Sequence, residues 1–172
     1  MLTGRFAIRA EKERDRDTVH TVNMAAFETP SETYLVEALR QQAQPVVSLV
    51  AEENGEVVGH IMFSPVSLSD HPNLKVMGLA PVAVAPAHQR KGIGSALVRA
   101  GLDQCRQLDF VAVVVLGHPE YYARFGFSPS SQFGIDSEYD VPEEVFMAME
   151  LQPEALSRKT GTVRYHPAFS NV

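Results

Sequence analysis

The stretch from Leu79 to Leu116 constrains the fold more than any other part of the chain. It opens with an apolar segment, Leu79-Ala80-Pro81-Val82-Ala83-Val84-Ala85, which Pro86 closes. A polar, basic loop follows, His88-Gln89-Arg90-Lys91-Gly92. Helical spacing then runs from about Gly94 to Leu108, with Leu97, Gly101, Cys105 and Leu108 on one face. Phe110 to Leu116 is an unbroken apolar run, the pattern of a central strand covered on both faces. Strand, loop, helix, strand is a βαβ unit, so the two strands are expected to be parallel with a right-handed crossover. The chain is therefore predicted to fold as α/β.

The loop in this unit has the physics of a phosphate site. Gly92 and Gly94 open a helix whose first N–H groups lack partners and whose dipole presents its positive end. Glycine lets a phosphate approach that backbone. The protein carries a formal net charge of −6, yet His71 through Leu102 contains no Asp or Glu. Lys75, Arg90, Lys91 and Arg99 fall in that window, as an anionic ligand would require. A P-loop string is absent, and Gly92-x-Gly94-x-x-Leu97 puts leucine where a dinucleotide fingerprint needs glycine or alanine. A coenzyme A pyrophosphate loop remains.

Around this unit, Phe6 to Arg9 reads as a strand and Arg14 to Phe27 as a helix. Ser31 is the expected N-cap of a second helix bearing Leu35, Val36 and Leu39 on one face. Val46–Glu53 and Val57–Val66 read as a hairpin about Asn54-Gly55. A turn is expected over Asp70–Asn73, then a strand from Lys75 to Val84. Later come a short helix over Glu120–Phe125 ending at Gly126, a strand over Val145–Leu151, and a polar tail with a strand-like Thr162–Tyr165. One domain is expected, as 172 residues and a 45% hydrophobic composition suit it.

The same properties narrow the partners. An acidic chain is a poor binder of nucleic acid. Met1–Arg5 lacks the apolar core of a secretory signal, and no run reaches the roughly 20 apolar residues of a membrane span. A cytoplasmic protein, with no membrane and no nucleic-acid partner, is expected. One cysteine excludes an intrachain disulfide and a Cys-rich zinc site, and the histidines lack metal-ligand spacing. No metal is expected.

The motif Gln89-Arg90-Lys91-Gly92-Ile93-Gly94 resembles the Gln/Arg-x-x-Gly-x-Gly/Ala signature of the GNAT (GCN5-related) N-acetyltransferases. Leu79–Pro86 resembles that family's fourth strand, Ser95-Ala96-Leu97-Val98 the start of its central helix, and Tyr121-Tyr122-Ala123-Arg124-Phe125-Gly126-Phe127 its later aromatic signature. Gly117–Tyr122 resembles a bacterial branch whose substrates are mostly unassigned. The likeness spans a core of about residues 5–151, with 152–172 as a C-terminal extension of a single N-acetyltransferase domain.

The resemblance implies a mixed, mostly antiparallel sheet flanked by helices. Its central parallel pair would splay around the CoA site, helped by a bulge at Pro81. Main-chain groups of Val82, Ala83 and Val84 would hold pantetheine, and Gln89, Arg90, Lys91, Gly92, Ile93, Gly94 and Ser95 the pyrophosphate. Acetyl-CoA would be the cosubstrate and a small-molecule, peptide or protein amine the acceptor. Tyr122 would be the acid for the departing thiolate. A homodimer is left open. No carboxylate stands on residues 79–84, so the general base is not visible. Glu28, Glu32 and His118 are candidates for the acceptor side, each also readable as plain surface. His60 reads as structural, Cys105 as a core residue, and Tyr121 as structural. Two alternatives stay open: a non-catalytic CoA-binding or sensory module, and an enzyme using a longer acyl-CoA or an acyl carrier protein.

Overall fold

A computed structural model describes residues 6–171. Met1–Arg5, where the missing secretory core was read and the predicted domain core begins, lies outside them, as does Val172. The N-terminal half runs β1 (Phe6–Ala10), α1 (Arg16–Ala26), α2 (Ser31–Gln42), β2 (Val47–Glu53), β3 (Glu56–Leu68) and β4 (His71–Val84). Then come α3 (Ile93–Gln107), β5 (Ala112–Leu116), α4 (Pro119–Ala123), β6 (Ser128–Pro129), β7 (Ile135–Ser137), β8 (Phe146–Glu150) and β9 (Gly161–Arg164).

The strands join one sheet in the order β1-β2-β3-β4-β5-β8-β6, with β9 pairing β3 and β7. The β4–β5 pair is parallel and its neighbours are antiparallel; a second parallel pair, β7–β9, lies off the main path. Local chemistry explains the turns. Asn54 and Gly55 both take positive φ, 54° and 80°, the backbone that matches hairpin twist. The next turn is tighter than the expected Asp70–Asn73. Asp70 takes φ 70° and Leu68 faces His71, so the turn is complete at Asp70. Pro72 then sits in β4, before its pairing with β5 begins at Val76, where no ladder N–H is required of it. Ser31 is not the cap of α2. Pro30 occupies that position, Ser31 is the first helical residue, and its N–H reaches Thr29 Oγ1 at 3.4 Å.

α3 packs on one face of the sheet, and α1 and α2 on the other. Gly101 explains how closely α3 lies. A Cβ there would stand 2.1 Å from the Phe63 ring, so only glycine admits this contact. Leu97, Val98, Leu102 and Cys105 complete the buried stripe and meet Ile61, Phe63, Met77 and Val113 from the sheet. On the opposite face Val19, Val22, Leu35, Val36 and Leu39 cover Val50, Met62 and Ala83.

The C-terminal segment is not a loose extension. β9 adds to the far end of β3 through Ser67↔Arg164 and Leu68↔Val163, and Ala168 and Phe169 pack with α2. No helix among the described residues is long and apolar enough to cross a membrane.

Candidate functional site

The site begins with a fork in the sheet. β4 pairs with β5 from Val76↔Ala112 to Leu79↔Val115 and no further, although β4 continues to Val84. On its other side β4 stays paired with β3 as far as Val84↔Gly59. The register shifts between Ile61↔Val82 and Phe63↔Leu79, so β4 spends one extra residue at Ala80-Pro81. This is a bulge, and it turns the upper part of β4 away from β5.

The antiparallel ladder decides which main-chain groups face the opening. Ala85 donates to Val58 O, so Ala85 and Val58 form a hydrogen-bonded pair. Two residues back, Ala83 and His60 form the next such pair. Ala83 therefore spends its main chain on β3. Val82 and Val84 point theirs into the fork. The Val84 carbonyl accepts from Gln89 Nε2 at 3.0 Å, so Gln89 ties the loop to the strand and does not reach outward. The Val82 N–H and C=O and the Val84 N–H face the opening.

The loop after β4 is built by two left-handed residues, Arg90 at φ 66° and Gly92 at φ 84°. Gly92 caps α3 with no side-chain partner, and the first intrahelical bond is Ala96 N–H to Gly92 O at 3.0 Å. The amides of Ile93, Gly94 and Ser95 precede that bond and present outward with the helix dipole. The Ile93 side chain is buried in the core against Gly59, so only its amide can serve a ligand. A Cβ on Gly94 would stand 3.3 Å from Tyr121 Oη.

The basic window disperses in three dimensions. Lys75 Nζ caps the far end of α3 at Leu108 O, 2.9 Å away, and lies over the Phe110 ring. Arg99 lies over the Phe125 ring. Only Arg90 and Lys91 stand at the loop, and Lys91 shares Glu53 with His88 at 3.6 and 3.1 Å. The positive potential of this loop therefore comes from its backbone amides more than from side-chain charge.

Below the fork, α4 places two tyrosines. The Tyr122 ring packs on Gly117, where a Cβ would come within 2.3 Å of it, and edge-on to Phe127. Burial, aided by Tyr121, pushes its phenol up to about 12, so it holds its proton at any working pH. Tyr121 is more than structural in placement. Its hydroxyl lies 3.4 Å from Ser95 Oγ at the loop, and Arg124 covers its ring. The sequence reading missed this link because residues 95 and 121 meet only through the packing of α3 on the sheet.

Of the acceptor-side candidates, Glu28 is exposed in the bend between α1 and α2, and His118 is exposed at the N-cap of α4. Glu32 differs, with one carboxylate oxygen enclosed and without a partner. His60 is fully buried, and burial together with Arg40 lowers it to about 3. Asn23 Nδ2 donates to Val19 O and to His60 Nδ1 at 3.0 and 3.2 Å. His60 Nε2–H then meets Ser48 Oγ at 2.9 Å, and Ser48 donates to Glu11, which Arg40 holds. A neutral imidazole with both nitrogens occupied is a brace between α1, β2 and β3. Cys105 is buried and its thiol is pushed up to about 12, as a core residue requires.

Comparison with known proteins gives a consistent set of matches. Residues 16–127 match the model of the acetyltransferase (GNAT) family. The uncharacterized N-acetyltransferase YhbS of Escherichia coli (strain K12) is 34% identical over 164 residues, covering 95% of this chain and 98% of that protein. The crystal structure of Escherichia coli YhbS in complex with CoA superimposes with a TM-score of 0.92 over 99% of this chain and 94% of that one, at 32% identity. A GNAT family acetyltransferase from Brucella melitensis, solved with acetyl-CoA, gives 0.79 over 96% and 98%, at 36% identity.

Proposed function

The chain belongs to the acetyltransferase (GNAT) family, and from that membership we propose that it transfers an acetyl group from acetyl-CoA to a primary amine by direct attack. The observation that carries this reading is the open edge of β4. Val82 and Val84 offer unpaired main-chain groups inside the fork, as an extended amide-bearing arm such as pantetheine requires. The loop amides at Ile93, Gly94 and Ser95 lie beyond the end of that edge, where a pyrophosphate would follow. The two similar structures solved with CoA and acetyl-CoA support the same ligand here.

Acetyl-CoA supplies a thioester carbonyl and a thiolate leaving group. The acceptor nitrogen attacks as the neutral amine, the C–N bond forms, and the C–S bond breaks. A single N–H of the open edge, that of Val82 nearest the crotch of the fork, would stabilise charge on the carbonyl oxygen, while the Val84 N–H, some two residues further along the strand, would hold the pantetheine arm. Tyr122 carries the proton that the thiolate takes up, and its raised pKa keeps it a donor. No carboxylate lies on the open edge, so the amine gives its proton to solvent or to a more distant group. Residues 6–171 act as one acetyltransferase domain, with the tail a working part of it. A cytoplasmic setting agrees with this chemistry.

Ligand-dependent melting tests the reading. CoA at 100 times its dissociation constant should stabilise the fold by about 2.7 kcal/mol. For this size that is a rise of about 5–10 °C, with NAD and ATP doing much less. A shift with CoA but no thiol release with any amine would point to a binding module instead.

A further inference from the structure

Among the described residues, four buried side-chain oxygens have no hydrogen-bond partner: Asn23 Oδ1, Glu32 Oε1, Thr33 Oγ1 and Ser64 Oγ. Such groups are costly, and each calls for an explanation. Two have a local one. Asn23 and Thr33 line a cavity of about 10 Å³ in the seam between α1 and α2, which is room for a single water. Glu32 and Ser64 do not line that seam.

Glu32 stands on the wrong stripe for a surface charge. Residues 35, 36 and 39 are the buried, sheet-facing stripe of α2, and Glu32 extends it by one turn. A residue in that row is expected to be apolar, and a carboxylate there calls for a task. Ser64 is fully buried on β3, directly opposite Gly78 of β4. Gly78 lies one residue before the last β4–β5 pair, at the crotch of the fork.

The C-terminal segment completes a wall there. The Tyr165 ring rests on Gly78, where a Cβ would come within 3.1 Å of it. Tyr165 stacks with Tyr139 and Phe169 at centroid distances of 5.5 and 5.0 Å. Phe169 in turn packs into the cluster that contains Leu35, Val36 and Leu39 of α2. This wall is on the sheet face opposite α3, whereas Tyr122 packs on the α3 face. Amine and proton donor would therefore reach the fork from opposite sides. The named wall residues comprise a carboxylate, three hydroxyls and three aromatic rings, with no cationic group. Rings and a carboxylate attract a cation, and nothing among them would neutralise an anion.

Resting on the acetyl-transfer reading, we propose that the acceptor is an aliphatic amine on a carbon chain free of carboxylate, selected by Glu32 against the Ser64, Tyr165 and Phe169 wall. Asp136, Asp140 and Glu143 share a groove with Tyr139, and Glu138 accepts from the Tyr165 N–H, so carboxylates flank the aromatic wall.

The test compares 1,5-diaminopentane with 6-aminohexanoate, a primary amine of similar length that carries a carboxylate. Binding to CoA-loaded protein is measured by calorimetry, and thiol release from acetyl-CoA is measured separately. Wild-type protein should bind the diamine at least about 10-fold more tightly, an energy of about 1.4 kcal/mol. Glu32→Gln should weaken the diamine about 10- to 100-fold, with CoA affinity unchanged as the check on folding. It should also erase the preference between the two amines. Phe169→Leu should weaken both amines while keeping the preference. Equal binding of the two amines by wild-type protein, or a preference that survives Glu32→Gln, overturns the proposal. Because binding is read without turnover, a protein that binds the diamine through Glu32 yet releases no thiol would sink the acetyl-transfer reading alone.

Discussion

At the scale of single residues, two titrating side chains make opposite demands. Tyr122 is pushed up to about 12, so its proton should not limit activity anywhere below that pH. The expected profile of log kcat/KM rises as the acceptor amine deprotonates, then stays level with no alkaline fall near 10. Tyr122→Phe should lower kcat by about 100-fold, toward the smaller end of general-acid effects because a thiolate leaves readily. The Michaelis constant for acetyl-CoA should hardly move, and wild-type kcat in the variant would remove Tyr122 from the chemistry. His60 acts on stability. Its folded pKa of about 3 lies below its unfolded value of 6.5, so the unfolded chain binds the extra proton between those values. Stability should therefore fall as pH drops below 6.5, by at most about 1.4 kcal/mol per pH unit. Asp15, lowered to about 2 by Arg9, contributes stability that is lost only below 3.8, so the two effects separate. His60→Gln should flatten the urea-unfolding free energy between pH 6.5 and 4. Equal slopes in both proteins would assign that window to other groups.

At the scale of elements, α3 is the piece whose two ends have different jobs. At its start, Gly92→Ala meets no neighbour within 4 Å but must hold φ 84°, which costs roughly 1 kcal/mol of stability. Gly94→Val instead projects toward Tyr121 Oη and the presented amides. It should cut CoA affinity more than 10-fold with little change in melting, about 1.4 kcal/mol or more of binding. Calorimetric titration of both variants checks the contrast. In the middle, Gly101→Ala should destabilise the apo fold by about 1–3 kcal/mol through overpacking against Phe63. The start of this helix was legible in the sequence because Gln89–Gly94 is contiguous and its physics is local. The bulge was implied by the family resemblance, and Pro81, a residue that sheets confine to edges and bulges, is consistent with it. The turn at Asp70 was not, because Pro72 and Asn73 are turn residues by composition, and only the pairing of Leu68 with His71 placed them in a strand.

For the whole molecule, the contacts that no local pattern announces are those that join distant segments. β9 meets β3 about a hundred residues away in sequence, and Tyr165 rests on Gly78. Ser95 likewise meets Tyr121 from another element. Sequence patterning gave the polar composition of residues 152–172, which suggests an appendage, but the pairing makes it part of the sheet. Deleting residues 158–172 should then strip cover from Leu68 and α2 and lower the melting temperature by more than 10 °C. That corresponds to a loss of roughly 3–5 kcal/mol, comparable with removing a large core side chain. Thermal melting of the shortened chain reads this directly, and an unchanged midpoint would make the tail dispensable to the fold.

The alternation along the upper part of β4 has a consequence in time. Ala83 is locked to His60, while the N–H groups of its neighbours Val82 and Val84 look into the fork. In deuterated water the single strand should keep two clocks, with residue 83 exchanging slowly and residues 82 and 84 quickly. A ligand lying in the fork would act as a missing neighbour strand, and all three amides would then slow to one pace.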